Sequence, residues 1–325
     1  LFRSAVSAFG LANNAVINSG GQEVILAGGI ATSTLINSAG LQLISSGGIA
    51  SAAVISNGAV QTVSSGGLSL FGRIIAGVQN ILSFGLDSGT TIDMGGSQNI
   101  NSGGSSLSAN LIAGGTQNIA FGASANATTI NNSGTQNIAS GANVSGTILN
   151  SGGSQNIASG AVATTTQVNS GAIQSVGSGA SALSTTITSA GSQTIASGGI
   201  ASSAIINSGG VQAVSSGGSA INTAVNSGGN QLVNGGAMVS GTNINSGGTQ
   251  TLLNGATVTN TQISGGAVQA IGTGAIALDA VILSAGVQLV LANGLASGTQ
   301  INNSGIQNVL NGGSAIDTIV NSGGN

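Results

Sequence analysis

The chain has no cysteine, proline, tryptophan, tyrosine or histidine, and its 325 residues include only two basic and five acidic side chains. Each absence excludes something. Without cysteine there is no disulfide framework. Without histidine, cysteine or lysine, the usual general bases, activated nucleophiles and soft metal ligands are missing. A net charge of −3 offers nothing to nucleic acid or to an anionic membrane surface. No run of about 20 apolar residues is present to span a bilayer. The absence of proline leaves hydrogen-bonded ladders uninterrupted, and because the 58 glycines do not recur at every third residue, a collagen helix is excluded. So much Gly, Ser and Asn would ordinarily mean disorder. Here 40% of the residues are hydrophobic and they are placed periodically, which predicts an ordered chain.

What is present is a glutamine that returns every 19 residues. Gln42, Gln61, Gln79, Gln98, Gln117, Gln136, Gln155, Gln174, Gln193, Gln212, Gln231, Gln250, Gln269, Gln288 and Gln307 keep that spacing, with one step of 18 from Gln61 to Gln79. Toward the N-terminus the same slot holds Glu23 and then Ser4, so residues 4–325 divide into 17 units. A short fixed period means one supersecondary unit stacked many times. With the Gln slot as position 1, positions 3 and 14 are aliphatic in all 17 units, as at Ile25, Ile157, Leu252 and at Ile36, Leu149, Ile206. Position 9 is small, mostly Ala, as at Ala31 and Ala163. Gly, Ser and Asn fill the corners between these stretches, where positive φ is needed.

Nineteen residues leave little room for a helix with a strand and turns, and no 3.6-residue period is visible. Each unit therefore reads as one three-strand coil of a parallel β-solenoid, about 17 coils in all, built around a narrow aliphatic core. Strand alternation puts the Gln of position 1 on the same face as the aliphatic of position 3. A buried amide needs partners, so the sequence predicts a structural ladder of amides bonded coil to coil, with Glu23 and Ser4 as polar substitutes at its start.

One stretch is irregular. The coils from Gln61 to Ser97 contain the single deletion together with Phe71, Arg73, Phe84, Asp87 and Asp93. Arg73 at position 13 and Asp93 at position 15 are expected to point outward as a surface ion pair. Asp87 replaces the usual Ala and is expected at a distorted corner. The patch reads either as a recognition patch or bend, or as local repacking around the deletion.

The runs Gln136-Asn137-Ile138-Ala139-Ser140-Gly141 and Ile206-Asn207-Ser208-Gly209-Gly210 carry a resemblance. The combined Gln-x-Ile, Ser-Gly-Gly and Ile-Asn-Ser-Gly-Gly signature, repeated in register over essentially the whole chain, is similar to the AIDA-type repeat of self-associating bacterial autotransporter adhesins. That resemblance implies a right-handed β-helical passenger, export to the cell surface, self-association or biofilm formation, and in some members O-linked sugars on Ser and Thr. Neither a secretion signal nor a translocating β-barrel is visible. Residues 1–325 are accordingly expected to be a single repetitive solenoid, a fragment of a longer array.

No catalytic, metal or cofactor site emerges. Asp279 and Asp317 share position 11 but lie two coils apart, ~10 Å by ladder spacing. The calcium-binding nonapeptide pattern needs a recurring Asp that is not here. Glycine-rich phosphate loops are matched only loosely, without a strand–loop–helix context. The expected function is that of an extracellular structural or adhesive rod whose partner is another copy of itself, approaching with little charge repulsion. The alternative is a subunit of a secreted filament or sheath.

Overall fold

The computed structural model describes residues 3–7 and 9–325, the side chain of Arg3 excepted. As the period requires, the chain is a parallel β-solenoid of seventeen coils, each contributing one strand to each of three sheets, with no helix among the described residues. It divides into two compact units, Leu1–Ala163 and Thr164–Asn325.

In the first unit a representative coil has strands Thr116–Ile119, Ser124–Asn126 and Thr129–Ile130. The first strand pairs in register with the next coil, setting Gln117 beside Gln136, Asn118 beside Asn137 and Ile119 beside Ile138. Burial alternates along it, with Gln117 and Ile119 inside and Thr116 and Asn118 at the surface. The two-residue side-chain period of a strand produces this alternation. The interior is a stack of aliphatics one coil apart, including Ile100, Ile119 and Ile138 from the first sheet and Leu111 and Ile130 from the third, all fully buried. Small residues such as Ala125 line the second sheet and let the coil close tightly on itself.

The second unit repeats the arrangement. Strands Ser192–Ile195, Ile200–Ser202 and Ile205–Ile206 make one coil, and Gln193 pairs with Gln212 while Ile195 pairs with Val214. Its core holds Ile195, Ile206, Ile244 and Ile263 at 0% exposure.

The corners explain the Gly, Ser and Asn content. A single left-handed residue separates the second and third strands, as at Ser108 (φ 54°) and Asn222 (φ 54°). At a third corner Ser151 (φ 44°) and Gly152 (φ 75°) turn together. A Cβ on the following Gly153 would lie 2.7 Å from the carbonyl oxygen of Ile130 in the preceding coil, so glycine serves close approach here rather than φ, and coils with Ala in this slot, such as that of Ala172, must give slightly at this contact. The one-residue deletion falls at the same corner two coils after Ile36. There Ala76 (φ 52°) turns alone and the third strand lengthens to Arg73–Ile75. The stack absorbs the missing residue without losing register, since Gln61 still pairs with Gln79.

Candidate functional site: a buried polar ladder and a neutral outer face

From Glu23 onward the coils present their position-1 side chains inward, and these side chains are bonded to one another within each unit. In the first unit Gln42 Nε2 donates to Glu23 Oε2 at 2.7 Å, Gln61 to Gln42 Oε1 at 2.6 Å, and the series continues through Gln79, Gln98, Gln117 and Gln136 to Gln155 at 2.7–2.8 Å. In the second unit it runs from Gln193, donating to Gln174 at 2.6 Å, through Gln212, Gln231, Gln250, Gln269 and Gln288 to Gln307 at 2.8 Å. All donors point toward the N-terminal side, so each ladder has one polarity. Glu23 accepts from Gln42 but leaves its buried Oε1 without a partner, and Ser4 is exposed.

A second row of polar groups joins the ladder. Thr128 Oγ1 donates to Gln117 Oε1 at 3.2 Å and Thr147 to Gln136 at 3.2 Å, and in the second unit Thr185 donates to Gln174 at 3.0 Å and Thr299 to Gln288 at 3.3 Å. Each Thr lies 11 residues after the Gln of its own coil, at position 12. Sequence reasoning missed these residues. The signal was there, because position 12 holds only Thr, Ala or Gly throughout the chain.

The irregular residues are not brought to one surface. Asp93 does not point outward as expected. It is buried beneath Arg73, whose guanidinium contacts its Oδ2 at 2.5 Å while remaining half exposed. The longer third strand of the shortened coil pairs Ile75 with Asp93 and draws the carboxylate in. Asp87 does not occupy a distorted corner either. It sits in the strand Leu86–Ser88, in register with Ser69 and Ser106, fully buried against the ladder. Its inward position follows from the position-9 slot it shares with Ala. Phe71 (φ 52°) and Phe84 (φ 58°) both occupy left-handed corners, but different ones, and both rings are exposed.

Asp87 Oδ1 accepts from Thr90 Oγ1 at 2.7 Å and from Gln79 Nε2 at 3.0 Å, and Oδ2 accepts from Gln98 Nε2 at 2.8 Å. Burial pushes its carboxyl above the ordinary 3.8, and the hydrogen bonds from Thr90, Gln79, Ser69 and Gln98 offset only part of that rise. The facing groups are all neutral. A carboxyl whose folded pKa is raised binds more protons folded than unfolded, so its contribution to stability is full below the ordinary value and is lost as pH rises through the raised one. Asp87→Ser is therefore expected to flatten the stability–pH curve from about pH 4 upward, measured as thermal midpoints across that range. Parallel curves for the two proteins would refute this.

The outer face of the first sheet carries a second amide ladder in the first unit. Asn99, Asn118, Asn137 and Asn156 each donate Nδ2–H to the Oδ1 of the Asn one coil earlier, beginning at Asn80, at 2.9–3.0 Å. With Ala120 and Ala139 alongside, they line a shallow trough of about 540 Å³. In the second unit Asn207, Asn226 and Asn245 form a shorter row at 2.8 Å. Elsewhere on that unit Ile221, Met238, Ser240 and Thr257 border a groove of about 330 Å³. The outer surfaces are rich in amides, hydroxyls and methyls and nearly free of charge.

A solenoid of repeated, nearly uncharged coils, with its buried polar side chains bonded coil to coil, has the construction of a stalk. The comparisons agree. Residues 194–248 match the model of a family described as an adhesin of the bacterial autotransporter system, probable stalk. A crystal structure of a TibA fragment, hyper-glycosylated by TibC catalysis, is 35% identical, with 99% of each chain covered and a TM-score of 0.58. The chain belongs to this family of autotransporter adhesin stalks. The A-module of the Azotobacter vinelandii mannuronan C-5 epimerase AlgE4 is 10% identical over 98% of this chain and 84% of that one, at a TM-score of 0.20. No curated protein sequence matches significantly.

Proposed function

We propose that this chain is an extracellular stalk of a bacterial surface adhesin whose outer faces associate with other copies of itself. The observation that carries the reading is the outer Asn ladder. Each rung spends one N–H and one oxygen lone pair on its neighbours; Ser97 takes up the spare capacity of Asn99 and Asn118, while Asn137 keeps another of each for a facing surface. With a net charge of only −3 spread over 325 residues, two such faces meet with little repulsion. The exposed corners also present hydroxyls such as Ser140 and Ser159. The hyper-glycosylated state of the TibA fragment supports O-linked sugars at positions of this kind.

Association through neutral polar faces is expected to depend weakly on salt, since few charges are available to screen. Placing Glu at Asn118 and Asn156, two coils apart on the outer face of that ladder, should weaken it by like-charge repulsion while leaving the core untouched. Sedimentation of mutant, unmodified and mixed suspensions checks both expectations. Unchanged settling of the folded, charged variant would refute the lateral reading.

A further inference from the structure

We propose that Thr90 and Gln79 become joined by an ester bond formed inside the folded first unit, with Asp87 carrying the proton between them. Four fully buried side chains supply the parts: Thr90, Gln79, Asp87 and Gln98. In later coils of the first unit the position-12 Thr donates to the amide oxygen of its own coil, as Thr128 does to Gln117 and Thr147 to Gln136, both at 3.2 Å. The position-12 hydroxyl thus rests beside its own coil's amide carbonyl. In the coil of Gln79 that hydroxyl turns to a carboxylate instead, and Thr90 Oγ1 lies 2.7 Å from Asp87 Oδ1. The same oxygen accepts Gln79 Nε2 at 3.0 Å. One atom therefore touches both the proton that must leave the nucleophile and the nitrogen that must receive it, which is the arrangement a general base turned general acid needs.

The carbonyl is prepared as well. Gln79 Oε1 accepts Nε2–H of Gln98 at 2.7 Å, a donor placed where negative charge develops in a tetrahedral intermediate. Burial excludes the water that would otherwise compete for the carbonyl or reopen the ester. Burial also raises the basicity of Asp87 over that of a surface carboxylate.

The step balances without any outside reagent. Thr90 Oγ attacks Gln79 Cδ and the Oγ–Cδ bond forms as Asp87 Oδ1 takes the hydroxyl proton. The intermediate collapses with cleavage of Cδ–Nε2, Asp87 returns the proton to that nitrogen, and ammonia departs. Nothing is oxidised or reduced, and the carboxylate is regenerated. Glu23 provides an internal comparison. Its Oε2 also accepts a Thr, Thr34, and an amide, that of Gln42. There, however, the position-1 side chain of Thr34's own coil is the carboxylate itself, so no amide carbonyl stands beside the hydroxyl. The product would close the coil covalently next to the one-residue deletion.

The test is the intact mass of the folded full chain after prolonged incubation, followed by peptide mapping. The expected chain is lighter by one ammonia, with the loss mapped to a joined peptide holding positions 79 and 90. Mild alkali should reopen it and leave a carboxylate at position 79. Asp87→Ser, which installs the residue found in register on both sides, and Thr90→Val should both keep the full mass while retaining β-sheet circular dichroism. Mapping is essential, because ring closure at the exposed Asn57–Gly58 also loses ammonia. Unlinked positions 79 and 90 in the unmodified chain would overturn the proposal, as would equal linkage in Asp87→Ser.

Discussion

Ile138→Asp is expected to unfold the coils around it. Ile138 lies in register between Ile119 and Ile157, each in the aliphatic stack of the first sheet. All three are buried. A carboxylate there has aliphatic neighbours on both sides and no donor positioned to receive it. An uncompensated buried charge costs about 3–5 kcal/mol, and the lost burial of the side chain adds roughly 1.5–3 kcal/mol. Coils in a solenoid are coupled only to their neighbours, so the damage should be local. Amide hydrogen exchange is expected to lose protection in the coils of Gln117, Gln136 and Gln155 and to retain it near Gln42. The adjacent Ala139 is exposed, and Ala139→Asp should stay within about 0.5 kcal/mol of the unmodified protein. Equal unfolding midpoints for the two variants would mean that the inward and outward faces have been assigned the wrong way round.

The contrast between Ile138 and Ala139 shows what the sequence made legible. A strict 19-residue period fixes which residues stack on which, and the two-residue alternation of a strand then fixes which of them face the core. Gln117, Ile119 and Ile130 could be placed from those two rules alone. Thr128 and Asp87 could not. Threonine suits a corner, an outer face and an interior equally well, and its hydroxyl reveals its side only through its partner. In a chain so rich in Ser and Thr, the regular 11-residue interval from Gln117 to Thr128 was the clue, and it was hidden by that abundance. Asp87 was misplaced for a related reason. A charged residue in an Ala slot suggests a local defect, whereas the position-9 slot faces the ladder, whose amides and hydroxyls can receive a carboxylate. Asp93 was misread because the missing residue lengthens the strand Arg73–Ile75 and changes what position 15 of the following coil meets. The consequence of a deletion depends on which corner absorbs it, and spacing alone did not say.

The buried ladder is also where a single uncharged substitution should do the most harm. Gln117 donates to Gln98 Oε1 at 2.7 Å and accepts from Gln136 Nε2 at 2.8 Å and Thr128 Oγ1 at 3.2 Å, with no solvent exposure. Gln117→Leu keeps a buried side chain one atom shorter and removes a donor and an acceptor together. The Gln136 amide and the Thr128 hydroxyl each lose a receiving oxygen, and no water can reach them. Gln98 Oε1 is less affected, because Ser106 Oγ still donates to it at 3.2 Å. Each stranded buried group costs about 1–3 kcal/mol, so the variant should lose roughly 2–5 kcal/mol after the gain from burying a more apolar side chain is set against it. Gln262 lies on the outer face and is exposed, and Gln262→Leu should change stability by no more than about 0.5 kcal/mol. The double change Gln117→Leu with Thr128→Val removes one of the stranded partners and should recover part of the loss, which a purely steric defect at position 117 would not allow. Denaturant midpoints for the unmodified chain, Gln117→Leu, Thr128→Val and the double change, compared as a double-mutant cycle, decide between the two: additive losses would show that the amides merely fill space, and recovery would show that they hold the coils together.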